Sequence, residues 1–121
     1  MEEGSVPPKT DLIIPHLYLG GIETACDTEG LLQNKVVAIV CCCPYLEFTE
    51  SEERPEFQYF RVDVEDISRE PIGLYFEEAI NFIHTFCQKE ENVFVHCRAG
   101  VSRSATIVIA YLVAKLGIIF T

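Results

Sequence analysis

Basic residues are scarce in this chain of 121 residues: 9 Lys and Arg stand against 19 Asp and Glu, for a formal net charge of -10. Duplex nucleic acid is bound through Lys and Arg that neutralise phosphates, so that class of partner is not expected. Cysteine pairs spaced as CxxC are absent, and no Cys/His spacing resembles a zinc site. No metal and no cofactor are therefore expected. A membrane-spanning run is also missing. The longest apolar stretch, residues 105–120, is broken by Lys115 and falls short of the ~20 residues a helix needs to cross a bilayer. It reads as a buried helix. The opening Met1-Glu2-Glu3-Gly4-Ser5-Val6-Pro7-Pro8 is acidic and holds no apolar run. A secretory signal is thus not expected, the cytosol or the nucleus is the expected compartment, and the 6 cysteines read as thiols.

Repeats, linkers and low-complexity tracts are lacking too, and apolar residues, 49% of the chain, are spread along its whole length. That excludes disorder as the main state and fits a single domain over residues 1–121. Residues 12–14 and 17–19 read as short strands around Pro15, and residues 22–34 as a helix interrupted in propensity by Gly30. The run Val36-Val37-Ala38-Ile39-Val40 is continuous, apolar and β-branched, as in a strand covered on both faces. Residues 47–56 read as a solvated acidic loop and 57–64 as another strand. In residues 72–88, Ile72, Tyr75, Phe76, Ala79, Ile80, Ile83 and Cys87 recur every three or four positions and make one helical stripe, with Glu77, Glu78, Asn81 and Gln88 opposite. Val93-Phe94-Val95 then forms a short buried strand, followed by a polar turn and the long apolar helix. Strands alternating with helices predict an α/β layered domain, its central sheet mostly parallel and flanked by helices.

The polar turn carries the chemistry. It reads His96-Cys97-Arg98-Ala99-Gly100-Val101-Ser102-Arg103-Ser104, between a strand and a helix. A tight turn entering a helix aims backbone N–H groups at one point, where the helix N-terminus adds about half a positive charge. Gly100 permits a close backbone approach, and Arg103 can fork two donors onto a phosphate-like oxyanion. Cys97, at the strand end, sits at the base of such a cradle. An ordinary thiol is only about 3% ionised at neutral pH. Lowering its pKa by about three units takes roughly 4 kcal/mol of preferential stabilisation of the anion, which amides, dipole and guanidinium can supply together. The same donors would hold three phosphoryl oxygens during transfer to sulfur. A leaving alkoxide or phenoxide needs a proton. Asp63, Glu65 and Asp66 are the candidate acids, and Asp66 is favoured because it lies beyond the strand, where a loop could bring it over the cradle.

The segment HCRAGVSRSAT, residues 96–106, resembles the signature of the cysteine-dependent protein phosphatases of the dual-specificity kind. Residues 14–20 are similar to that family's opening segment, residues 57–66 and 71–76 to its acid-loop region, and residues 107–112 to its signature helix. With no upstream docking domain, the chain most resembles the small atypical members. The resemblance implies that Cys97 attacks phosphorus and carries a phosphocysteine intermediate. It implies that Arg103 and the amides of Arg98, Ala99, Gly100, Val101, Ser102 and Arg103 bind the phosphoryl group. Ser104 matches the hydroxyl residue that helps the thiolate leave, His96 the residue that supports the loop and the low thiol pKa, and Asp66 the general acid. The implied activity is hydrolysis of phosphotyrosine and phosphoserine or phosphothreonine. Inside the cradle only Arg98 adds charge, where phosphoinositide phosphatases usually carry lysines, so a phosphoprotein is the expected partner.

The family's domain continues past the signature helix, whereas this sequence ends at residues 116–121, an apolar end that reads as uncapped. The C-terminal helices are accordingly expected to be absent, and self-association through the apolar end is expected. Two rival readings remain beside the phosphatase. One is a catalytically impaired phosphoprotein binder or scaffold. The other is a redox or sulfur-transfer enzyme built on the same thiol, although sulfur-transfer loops have a different spacing and usually lack the following Ser-Ala-Thr. Thiolates oxidise preferentially, so reversible oxidation of Cys97 is expected. Cys41, Cys42, Cys43 and Cys87 are either resolving thiols for it or buried structural residues.

Overall fold

The structure, a computed structural model, describes residues 10–42, 54–62, 73–97 and 102–117, without the side chains of residues 73–76, 102 and 103. Its strands are β1 (Thr10–Ile14), β2 (Leu17–Gly20), β3 (Val36–Cys41), β4 (Gln58–Arg61) and β5 (Asn92–His96). Its helices are α1 (Ile22–Ala25), α2 (Thr28–Gln33), α3 (Gly73–Gln88) and α4 (Ser102–Leu116). The strands form one 5-stranded sheet in the order β1-β2-β5-β3-β4. β1 pairs antiparallel with β2, while β2, β5, β3 and β4 run parallel to their neighbours. The expected α/β architecture with a mostly parallel sheet is the one observed.

Apolar patterning explains the layers. β5 lies between β2 and β3 and is covered on both faces, so Val93, Phe94, Val95 and His96 are all 0% exposed. On one face Leu17, Ala38, Val40, Val93 and Val95 pack against Ala79, Ile80, Ile83 and Phe86 of α3 and Ile107, Val108, Tyr111 and Leu112 of α4. Burying each large aliphatic or aromatic group here contributes about 1.5–3 kcal/mol. The opposite face packs Tyr18, Val36, Ile39 and Phe94 against Ala25, Leu31 and Phe57.

The sequence expectation for 22–34, a single helix, is corrected. Two short helices form there, because the Asp27 carboxylate accepts from the Gly30 N–H at 3.1 Å and caps a new helix. A side chain at Gly30 would collide with that carboxylate, which is why glycine fits inside α2. The strand expected over 57–64 is shorter, at Gln58–Arg61, with residues 63 and 64 outside the described ones. The long C-terminal helix ends at Leu116, and Gly117 follows in the left-handed region at φ 68. Glycine takes that conformation without the steric cost other residues meet, and it commonly follows the last turn of a helix. Residues 118–121 lie outside the described ones. At the β1–β2 corner His16 also adopts positive φ, 77. It is held there by Asn92, whose Oδ1 lies 2.9 Å from His16 Nδ1, and by the Val93 N–H, which donates to the His16 carbonyl at 2.8 Å.

Candidate active site

Parallel strands end together, and ligands in open α/β sheets bind beyond their carboxyl ends. At that end of the sheet β5 stops at His96 and delivers Cys97, while α4 starts at Ser102. Side chains alternate between faces along a strand. His96 accordingly joins Phe94 on the α1–α2 side, the two rings stacked at 5.6 Å with planes 13° apart. Cys97 turns to the α3–α4 side and enters the core there.

Ser104, in the first turn of α4, meets it. The Cys97 Sγ and Ser104 Oγ atoms are 3.2 Å apart, with Cys97 3% and Ser104 0% exposed. The sulfur thus lies beside the N-terminal turn of α4, with a hydroxyl at hydrogen-bonding distance. Arg103 is the helical residue immediately before Ser104. Arg98, Ala99, Gly100 and Val101 lie outside the described residues, as do the candidate acids Asp63, Glu65 and Asp66 and the side chains of Ser102 and Arg103. Cys97, Ser104 and His96 are therefore the expected site residues whose side chains the structure places. Two of them meet, and the third packs on the other face directly beneath.

The polypeptide around this point is tied down by the neighbouring strand. The Cys42 N–H donates to the His96 carbonyl at 2.8 Å, extending the β3–β5 ladder by one step. Cys41 faces the other way, toward Ile22 and Tyr59, and its sulfur accepts from the Arg61 guanidinium at 3.7 Å. At the opposite end of the sheet, α3 and α4 share a polar network that sequence reasoning missed. His84 Nδ1 lies 3.2 Å from the Tyr111 hydroxyl, which also hydrogen-bonds Cys87. Cys87 in turn donates to the His16 carbonyl at 3.9 Å. Burial first, and then Cys87 beside it, push the Tyr111 hydroxyl up to about 12. Burial likewise raises the Cys87 thiol, opposed in part by its hydrogen bond to Tyr111. Cys26, Cys41, Cys42, Cys87 and Cys97 are all thiols. No helix among the described residues is long and apolar enough to cross a membrane.

Comparison with known proteins places this geometry in a family. The family model for the catalytic domain of dual specificity phosphatases matches residues 17–119. Dual specificity protein phosphatase 15 of Homo sapiens is 37% identical over 109 residues, covering 90% of this chain and 36% of its own length. Dual specificity protein phosphatase 9 of Homo sapiens is 35% identical over 121 residues, covering 94% of this chain and 31% of its own length. The crystal structure of DUSP15 superposes with a TM-score of 0.79 at 35% identity, covering 90% of this chain and 67% of that one. The crystal structure of a human tyrosine phosphatase-like serine/threonine/tyrosine-interacting protein superposes with a TM-score of 0.78 at 30% identity, covering 91% of this chain and 76% of that one. The chain belongs to the dual specificity phosphatase family, and its likeness to phosphatase 15 fits the small atypical type. It spans less than half of the length of the first curated relatives it matches, from 31% to 43%.

Proposed function

We propose that the chain hydrolyses phosphate esters of proteins, on tyrosine and on serine or threonine, through a phosphocysteine intermediate. The observation that carries the reading is the 3.2 Å approach of Ser104 Oγ to Cys97 Sγ where β5 hands over to α4. In the first step Cys97 Sγ attacks phosphorus and the ester oxygen departs, taking a proton from Asp66. Arg103 and the amides of residues 98–103 receive the phosphoryl oxygens, with charge stabilisation of the kind that preorganised donors provide. In the second step the Asp66 carboxylate draws a proton from water, the water oxygen attacks phosphorus and the sulfur–phosphorus bond breaks. The Ser104 hydroxyl donates to the departing sulfur anion. His96 supports the segment from below.

A phosphoprotein suits the acidic chain, of net charge -10, better than a polyanionic substrate does. Thiols at all five described cysteines fit a reducing compartment such as the cytosol or nucleus. Turnover of an aryl phosphate, then of phosphotyrosyl and phosphothreonyl peptides, tests the reading, with vanadate as inhibitor. Binding of phosphopeptide without turnover would favour the scaffold reading instead.

The outward face of α4 supports self-association. Ile109, Val113 and Leu116, spaced four and three residues apart, are 47%, 50% and 45% exposed. Sedimentation should show concentration-dependent association that Val113→Glu weakens; a monomer at all concentrations would contradict it.

A further inference from the structure

Among the described residues α4 buries two hydroxyls in the core, Ser104 at 0% and Tyr111 at 2% exposure. They stand seven positions apart, two turns of helix, so they share one face to within about 20° and lie roughly 10.5 Å apart along the axis. Ser104 meets Cys97. Tyr111 meets α3, its hydroxyl 3.2 Å from His84 Nδ1 and hydrogen-bonded to Cys87. Cys87 donates to the His16 carbonyl at 3.9 Å, and the same carbonyl accepts the Val93 N–H at 2.8 Å. Val93 is the second residue of β5, and Cys97 follows its last. The two hydroxyls of α4 are therefore tied to opposite ends of one strand, the first directly and the second through Cys87 and His16. From Val93 to Cys97 is roughly 13 Å of extended chain, comparable with the axial span between the hydroxyls.

Between these ties, Ile107, Val108 and Leu112 hold α4 through apolar contact. Such packing is non-directional. It resists lifting α4 off the sheet more than it resists a small slide or rotation. Hydrogen bonds weaken steeply with distance and angle, so they set register. With the Cys87 proton on the His16 carbonyl, the Tyr111 hydroxyl donates to the Cys87 sulfur and His84 Nδ1–H donates to the Tyr111 oxygen. The donors all run one way, from α3 through α4 to the start of β2.

We propose that Tyr111 is a positioning residue for Ser104: its hydroxyl, held by His84 and Cys87, fixes the axial register of α4 so that the Ser104 hydroxyl stays within reach of the Cys97 sulfur. The inference rests on the reading of Cys97 as the nucleophile and of Ser104 as donor to it.

Tyr111→Phe removes the hydroxyl and keeps the ring. Rapid-quench trapping of the phosphoenzyme formed from an aryl phosphate reads its formation and its decay separately. In Tyr111→Phe formation should keep its native rate, while decay slows about two- to tenfold, the worth of one neutral hydrogen bond. In a Ser104→Ala background the same substitution should slow decay no further, because the hydroxyl it positions is gone. His84→Ala should slow decay in the native background, and His84→Asn, which returns an N–H donor where Nδ1 stood, should restore it. The decay constant does not depend on the folded fraction, so lost stability alone leaves it unchanged. A native decay rate in Tyr111→Phe, or equal slowing with and without Ser104, overturns the proposal. Failure of the phosphatase reading looks different: the native chain then traps no phosphoenzyme at all.

Discussion

Cys97 Sγ and Ser104 Oγ lie 3.2 Å apart in the core, joining the end of the central strand to the first turn of the helix that follows it. A hydroxyl so placed serves the sulfur best when the sulfur is an anion. In the proposed cycle that happens twice, before attack on phosphorus and at departure from it.

Ser104→Ala should therefore slow breakdown of the phosphoenzyme more than its formation. A hydrogen bond to a charged group is worth about 1.5–3 kcal/mol, which corresponds to roughly a ten- to hundredfold lower steady-state rate. Rapid-mixing kinetics should show a burst of released aryl alcohol followed by slow turnover. Loss of the burst along with the steady state would place Ser104 in the first step instead.

Asp66→Ala should lower kcat by about 10²–10⁴, the usual worth of a positioned general acid. The loss should be greatest for phosphothreonine, whose alkoxide needs a proton more than a nitrophenolate does. Vanadate affinity should change little. If Glu65→Ala gives the larger loss, the acid is Glu65.

Stability should fall in strong alkali. Tyr111 is raised from its ordinary 10.0 to about 12 in the folded chain. A raised pKa means the folded state holds its proton more tightly than the unfolded state. Its contribution is complete below about pH 10 and is lost as pH rises to about 12. The raised Cys87 thiol acts in the same direction, from about pH 9 upward. Urea unfolding across this range should show declining stability, with a shallower decline in Tyr111→Phe. Equal slopes in the two proteins would contradict the assignment.

Asp27→Ala should cost about 1 kcal/mol by removing the cap on Gly30. Ile83→Ala, at a 0% exposed position between α3 and the sheet, should cost roughly 2–5 kcal/mol. Urea denaturation measures both. Similar small losses at the two positions would show that the α3 interface is not where the core is held.

The layered sheet was legible because β3 and β5 are unbroken apolar runs and α3 carries its stripe at helical spacing. Ala79, Ile80 and Ile83 are buried, with Cys87 packed at the edge. Phe86, which also enters the core, falls outside that stripe as read. The break at Asp27 was hidden because capping is a property of one side chain folding back, not of periodicity. Cys97 and Arg103 stood out through spacing between a strand and a helix. Ser104 was legible only through family resemblance, since a serine in a helix ordinarily carries no signal. Alternation predicts that Cys41 and Cys42 face opposite ways, but only the β3–β5 register says which one neighbours Cys97. The His84–Tyr111–Cys87 network escaped because its members come from two helices whose packing no local pattern encodes.

Aryl phosphate turnover by the whole chain, compared with Cys97→Ser, tests the central claim most directly. Vanadate-sensitive hydrolysis that disappears when this one sulfur becomes oxygen is the predicted result. Hydrolysis that survives the substitution, or a folded native chain that hydrolyses nothing, would contradict it.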